Sequence, residues 1–239
     1  GQGVPQNYSE ALRWYLLAAE QGHAGAQWSL GLMYGKGQGV TQNYAEALRW
    51  YQLAADQGDG VAQFSVGSMY ELGQGVPKNY SEAVRWYRLA ADQGHAYSQW
   101  SLGHMHQNGL GVPQSYAEAF RLFKLAADQG NPSAQVSLGL MFGIGQGVAQ
   151  NYTESARWYR LAADQGDVVG QGSLGILYRQ GQGVPQNYVE AYKWFALSAA
   201  EGQELAVKDR DSLLKLMTPA QIEEGQRRAA SWKPVEGRE

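Results

Sequence analysis

Cysteine is absent from the 239 residues, so disulfides, thiolate nucleophiles and cysteine metal sites are excluded, while the compartment is left open. No run of about 18 apolar residues occurs, so no helical membrane span is expected. Basic residues are not in excess either. The net charge is −3 and the pI is near 5.9, which provides no field for a phosphate backbone and excludes nucleic acid as an expected partner. Catalytic patterns are also missing. There is no ordered Ser/His/Asp set, no Gly-Lys-Ser/Thr phosphate loop and no HExxH motif. His104 and His106, the only clustered histidines, lie two apart on a helix and face different ways. No metal or cofactor site follows from these residues.

Repetition is what the chain has instead. Gly1, Gly37, Gly73, Gly109, Gly145 and Gly181 each open a 36-residue unit, with no insertion or deletion between them. Such a period is the signature of a solenoid, in which each unit packs only on its neighbours. Each unit begins with a G-x-G-V loop whose valine, Val4 and its equivalents, is expected to tuck into the core. A longer helix follows from Asn7 to about Gln21 and stops at Gly22, a residue suited to a left-handed C′ position. Asn7/Glu10, Asn43/Glu46, Asn79/Glu82, Asn151/Glu154 and Asn187/Glu190 predict reciprocal capping boxes, with Ser115/Glu118 as the variant. Tyr8, Ala11, Trp14, Tyr15, Ala18 and Ala19 form the helix's apolar face.

A short helix near 24–35 comes next, its start marked by Asn131-Pro132 and, at the same site, His23, Asp59, His95 and Asp167. Gly31, Gly67, Gly103, Gly139 and Gly175 lie inside it, each costing about 1 kcal/mol relative to alanine. Close approach to alanines of the adjacent helix is the expected compensation. The repetition gives helix pairs near 24–57, 60–93, 96–129, 132–165 and 168–201, with the helix at 8–21 leading. Domain organisation is read as 1–202 repeat solenoid, 203–234 degenerate repeat and capping helix starting at Thr218-Pro219, and 235–239 disordered tail. The chain opens inside a repeat, which reads as a fragment or processed form. The leading helix lacks a short helix on its outer side, an end open to homo-oligomerisation.

Leu30-Gly31-x-x-Tyr34 and Ala47-x-x-x-Tyr51 resemble the tetratricopeptide pattern. With the 36-residue period, the G-x-G-V-P loop and the A-A-x-Q-G ending (Ala54–Gly58), the unit resembles a Sel-one-like repeat (SLR). Met217–Ile222 and Trp232-Lys233-Pro234 are similar to the ending of bacterial members. The resemblance implies an all-α fold, a right-handed α/α superhelical solenoid, acting as a protein-interaction scaffold in bacteria, with a periplasmic or secreted location favoured. Some cysteine-rich relatives have been linked to penicillin-type ligands, but this chain has no cysteine and no candidate nucleophile. A β-lactamase-like hydrolase is therefore the weakest function, and a non-enzymatic protein is expected.

Positions identical in every unit are explained by the fold. Those that vary on the short helix (25, 28, 32, 35 and 36, and their equivalents every 36 residues) form one stripe opposite the core face. In the tetratricopeptide arrangement that this resembles, the stripe lines a concave groove. The expected partner-binding residues are Trp28, Leu32, Phe64, Ser68, Glu71, Tyr97, Trp100, His104, Gln107, Leu140, Ile176 and Arg179. Trp28, Phe64 and Trp100 admit two readings, groove anchors or side chains stacked on the next unit. The function expected is a scaffold or adaptor binding a peptide or protein segment, and the alternative is an immunity-type inhibitor that blocks one enzyme. The basic column Arg13, Arg49, Arg85, Arg121, Arg157 and Lys193 is read as i,i+3 pairs with glutamates, against the sharper reading of an anion-binding ridge. Trp14, Trp50, Trp86, Trp158 and Trp194 are read as packing.

Overall fold

In a computed structural model, residues 7–235 are described and form thirteen α-helices with no strand among them. The first eleven are α1 (Tyr8–Glu20), α2 (Ala24–Lys36), α3 (Tyr44–Asp56), α4 (Gly60–Leu72), α5 (Tyr80–Asp92), α6 (Ala96–Asn108), α7 (Tyr116–Asp128), α8 (Pro132–Ile144), α9 (Tyr152–Asp164), α10 (Val168–Gln180) and α11 (Tyr188–Ala200). The last two are α12 (Glu204–Leu214) and α13 (Pro219–Ser231). The expectation of longer and shorter helices is corrected, because α1 and α2 are both 13 residues long and the repeats follow suit. Asn43 and Gln57 are caps outside α3, and α4 runs one residue beyond the expected end, to Leu72 before Gly73 at φ +72°. The chain divides into two compact units, Gly1–Ser115 and Tyr116–Glu239. In each, successive helices pack on one another, the arrangement of an all-α solenoid.

The caps are built differently from the expected box. Asn43 accepts from the backbone of Ala45 and Glu46, and Asn79 accepts from that of Glu82. The reciprocal bond from glutamate is not made in these helices. The Asn43 N–H is already taken by the Tyr34 carbonyl, and that of Asn79 by Tyr70, so the glutamate turns to the arginine three residues on. Thr218/Gln221, opening α13, shows both halves of a capping box.

The mid-helix glycines also meet a different neighbour. A Cβ on Gly31 would lie 2.4 Å from the Tyr51 ring, and one on Gly67 would lie 2.7 Å from that of Tyr87. It is the aromatic ring of the next helix, not its alanines, that demands a glycine. Ring burial offsets the lost helix propensity, since a buried aromatic side chain contributes about 1.5–3 kcal/mol against the glycine's cost of about 1 kcal/mol. In the loops, Gly75 has φ +70° and a Cβ there would fall 2.4 Å from the Tyr44 carbonyl oxygen, so backbone packs on backbone. Val76 tucks against the core as expected of its column, while Gly1, Gly3 and Val4 lie outside the described residues.

Glutamines tie one repeat to the next. Gln57 donates its side-chain amide to Gln27 Oε1 at 2.7 Å, and Gln27 in turn donates to the Ala19 carbonyl. Gln93 and Gln63 repeat the relay in the first unit, and Gln165 and Gln135 in the second. These side chains satisfy a helix-end carbonyl that packing has removed from water.

The tryptophan column is packed inside each unit, with one exception. Trp50 is 6 % exposed, held by Leu12, Leu16, Ala19, Ala26 and Leu30. Trp14 is 61 % exposed, because no helix among the described residues lies over that side of α1. In the second unit Trp232 meets Trp194 edge to face at 6.2 Å. Leu213 and Met217 complete the core beneath α13, while Leu205 and Leu216 point to solvent. Val235, expected at the start of a loose tail, donates its N–H to the Asp164 carbonyl at 2.7 Å. Residues 236–239 lie outside the described residues.

Candidate functional site

The varying stripe of the first unit runs over the even-numbered helices α2, α4 and α6. Trp28 is half-buried and reaches the next even helix, where its indole N–H donates to Ser65 Oγ at 3.2 Å. Phe64, also half-buried, sits between Tyr87, His95 and Tyr97, with ring centroids 5.7, 5.3 and 6.3 Å away. Burial among these rings pushes His95 below its ordinary value, with Asp59 opposing. Trp100 stacks on His104 at 6.2 Å. Tyr97, at 53 % exposed, is the aromatic of the stripe most open to solvent. Val61 and Leu72 are exposed on the same stripe.

Between α2 and α4 the stripe opens into a cavity of about 290 Å³. Leu32, Gly35 and Lys36 form one wall, Phe64, Ser65 and Ser68 the other, and Tyr44, Ala47 and Tyr51 of α3 the floor. A Cβ on Gly35 would have only Ala47 and the Tyr51 hydroxyl within 4 Å, at 3.7 and 4.0 Å, so the glycine leaves open space. Tyr51 is 8 % exposed, and burial pushes its phenol up to about 12. One repeat further on, Glu71 occupies the place of Gly35, and the Tyr87 hydroxyl donates to its Oε2 at 2.5 Å. Burial and that carboxylate together push the Tyr87 phenol higher still.

In the second unit Leu140, Ile144 and Val169 are the exposed apolar members of the stripe. Ile176 is half-buried against the core that holds Phe195 and Leu213. Arg179 pairs with Asp209 at 2.6 Å and lies over the Phe195 ring. Apolar exposure is not confined to the stripe, since Leu53 and Leu89 on the odd-numbered helices are also exposed. The stripe differs in that its side chains change from repeat to repeat. Gly35 and Lys36 belong to the stripe read from sequence but were not expected to shape a site, and Tyr44, Tyr51 and Ser65 were read as framework. The signal that finds them is the pairing of position 35 with position 51: Gly with Tyr, Glu with Tyr, Gly with Tyr, Arg with Phe, at 35/51, 71/87, 143/159 and 179/195.

The basic column is engaged within the fold. Arg49–Glu46, Arg85–Glu82 and Arg157–Glu154 pair at 3.0 Å, and each guanidinium lies over the following tryptophan. Two expected pairs are not made. Arg13 has no ion pair to Glu10 among the described residues, and Glu190 is taken by Arg228 instead of Lys193. Among the described residues no group of His, Asp and Glu side chains could hold a metal ion, and no helix is long and apolar enough to cross a membrane.

The Sel1 repeat model matches residues 1–23, 24–59, 60–95, 96–131, 132–167 and 169–203. The chain belongs to the Sel1 repeat family. Repeats of this kind mediate protein interactions, and such proteins are generally non-enzymatic scaffolds. Similar solved structures include a protective antigen of uropathogenic Escherichia coli with an SLR fold, at 38 % identity and a TM-score of 0.84. That match covers 95 % of this chain, which spans 50 % of the antigen's length. A Sel1 repeat protein from Oxalobacter formigenes is 32 % identical with a TM-score of 0.82, covering 97 % of this chain and 94 % of the other. The immunity protein PA5088 of Pseudomonas aeruginosa, at 20 % identity, TM-score 0.55 and coverage of 87 % and 80 %, shares the fold alone. No curated protein matches the chain.

Proposed function

We propose that this Sel1 repeat protein is a non-enzymatic scaffold that binds a peptide or protein segment along the stripe of its even-numbered helices. In the first unit the contact residues are Trp28, Leu32, Phe64, Ser68, Glu71, Tyr97, Trp100, His104 and Gln107, and in the second they are Leu140, Ile176 and Arg179. The observation that carries the reading is the exposure of Val61, Leu72 and Tyr97 on the varying stripe of the first unit, the same stripe that opens into the cavity through Leu32, Phe64 and Ser68. Exposed apolar side chains along one stripe favour association, and aromatic residues anchor it. Trp28 and Phe64 serve in this reading as walls, held in place by the next repeat.

The test is capture of partners from the organism that encodes the protein, comparing the native chain with a triple Val61→Ser, Leu72→Ser, Tyr97→Ser variant. The variant should keep its helicity and melting temperature and lose the captured protein. Retention of every captured protein would exclude the stripe. A single stoichiometric complex in which an enzyme is silenced would identify an inhibitor of the immunity type.

A further inference from the structure

Two successive levels of the first unit differ by one side chain. At the second level Glu71 of α4 brings a carboxylate that accepts from the Tyr87 hydroxyl of α5 at 2.5 Å. At the first level Gly35 has no side chain, and the equivalent space is the cavity of about 290 Å³. Tyr51, the counterpart of Tyr87, makes no hydrogen bond among the described residues and lines that cavity. Ser65, on the far wall, is already committed, donating to the Val61 carbonyl and accepting from Trp28. Lys36 stands at the edge with no ion pair among the described residues.

We infer that this cavity takes a glutamate side chain of the protein partner, which supplies the carboxylate that the chain itself supplies at Glu71. The inference builds on the proposed stripe and names what one of its pockets selects. Three features carry it. The neighbouring repeat shows that the equivalent helix pair and the equivalent tyrosine, Tyr87, accommodate a glutamate carboxylate. The donor is a phenol on a side chain only 8 % exposed, with its hydroxyl facing the cavity and unpartnered among the described residues, and pairing such a donor with an anion gives a strong hydrogen bond. Lys36 adds a positive charge where the ligand would enter, while Leu32, Phe64 and Met69 offer apolar surface to the methylenes of the incoming side chain. A glutamine in the same place would accept from Tyr51 without the charge, and so should bind more weakly.

The experiment uses two capped peptides, acetyl-Leu-Glu-Leu-amide and acetyl-Leu-Gln-Leu-amide, titrated into the full chain. The tyrosine Cζ resonances are followed by NMR, with Tyr51 assigned from Tyr51→Phe. The glutamate peptide should shift the Tyr51 resonance and bind at least about fivefold more tightly than the glutamine peptide, the discrimination one charge-assisted hydrogen bond provides. Tyr51→Phe should erase that preference. Gly35→Glu should fill the cavity with the chain's own carboxylate, move the Tyr51 resonance without ligand and abolish binding of both peptides, with the melting temperature retained. Equal binding of the two peptides, or no response of Tyr51 to either, overturns the carboxylate pocket. Either result leaves the triple-serine capture assay to decide the stripe independently. Loss of capture in that assay with equal peptide binding would mean that the stripe binds its partner without a glutamate in this pocket.

Discussion

On α5, Trp86 is 3 % exposed and Tyr87 is 1 % exposed; on α6, which packs beside it, Tyr97 is 53 % exposed. These are aromatic residues of similar size in adjacent helices of one repeat. Trp86 and Tyr87 recur at the same place in most repeats, whereas Tyr97 stands where the others have glycine, valine or serine. Identity across repeats follows burial, because a side chain enclosed by the preceding and the following repeat has one shape that fits both. Exposure permits variation without requiring it: Leu53 and Leu89 are exposed and recur, while Tyr97 is exposed and does not. The two helices therefore divide a single repeat into a part that transmits the stack and a part left for something outside it.

Truncation tests that division most strongly. Trp86→Ala empties a site closed by Ala54, Ala55, Ala62 and Val66 and should cost about 3–5 kcal/mol, read as a lower denaturant midpoint. Tyr97→Ala should stay within about 0.5 kcal/mol of the native chain, the range for exposed positions. A large loss at Tyr97 would mean that its contacts with Phe64 and His95 belong to the core and would undo the comparison.

The next effect is alkaline. Burial raises the phenol of Tyr51 to about 12 and that of Tyr159 to about 12 from an ordinary 10. The folded state holds these protons after the unfolded state has lost them. Stability is therefore full below pH 10 and declines as pH rises from 10 to 12, by up to about 2–3 kcal/mol for each tyrosine. Thermal melts between pH 9 and 11.5 should show the fall, and Tyr51→Phe should flatten part of it. A melting temperature indifferent to pH in that window would show that these hydroxyls reach water. Below this in size is Asn79→Ala, which removes the acceptor for the Glu82 N–H and should cost about 1 kcal/mol.

The period, the helix count per repeat and the cap positions were legible because each follows from one residue at one spacing: asparagine before a helix, glycine after it. The partner of each group was not. Asn79 and Glu82 look like a reciprocal box, but the Asn79 N–H is bonded to Tyr70, nine residues earlier, through a loop whose path local spacing does not specify. Gly67 signals a close approach without saying to what, since alanine and tyrosine of the next helix recur with the same period. The site follows the same rule. The stripe of varying positions could be drawn from the sequence, and Tyr97, Leu140 and Ser68 lie on it. The cavity could not, because it comes from pairing Gly35 on one helix with Tyr51 on the next, and Tyr51 resembles a framework residue until its hydroxyl is seen to lack the carboxylate that Tyr87 has.

The smallest effect concerns the column where charge and packing overlap. Arg85 pairs with Glu82 at 3.0 Å, both more than a third exposed, and its guanidinium lies 4.4 Å from the centroid of the Trp86 ring. An exposed i,i+3 pair contributes only a few tenths of a kcal/mol and fades with salt. A cation over an aromatic face adds about 0.5–1 kcal/mol at such a site, and the arginine stem also covers apolar surface. Packing over the indole should therefore dominate. Arg85→Ala should cost about 0.5–1 kcal/mol, while Glu82→Gln, which keeps the cap donor and removes the charge, should cost less than about 0.5 kcal/mol. The Arg85→Ala loss should change little between low salt and about 0.5 M salt, which shortens the screening length to a few ångströms, whereas the smaller Glu82→Gln loss should fade. An anion-binding ridge would behave in the opposite way: Glu82→Gln would free Arg85, phosphate would then raise the melting temperature, and salt would abolish the gain.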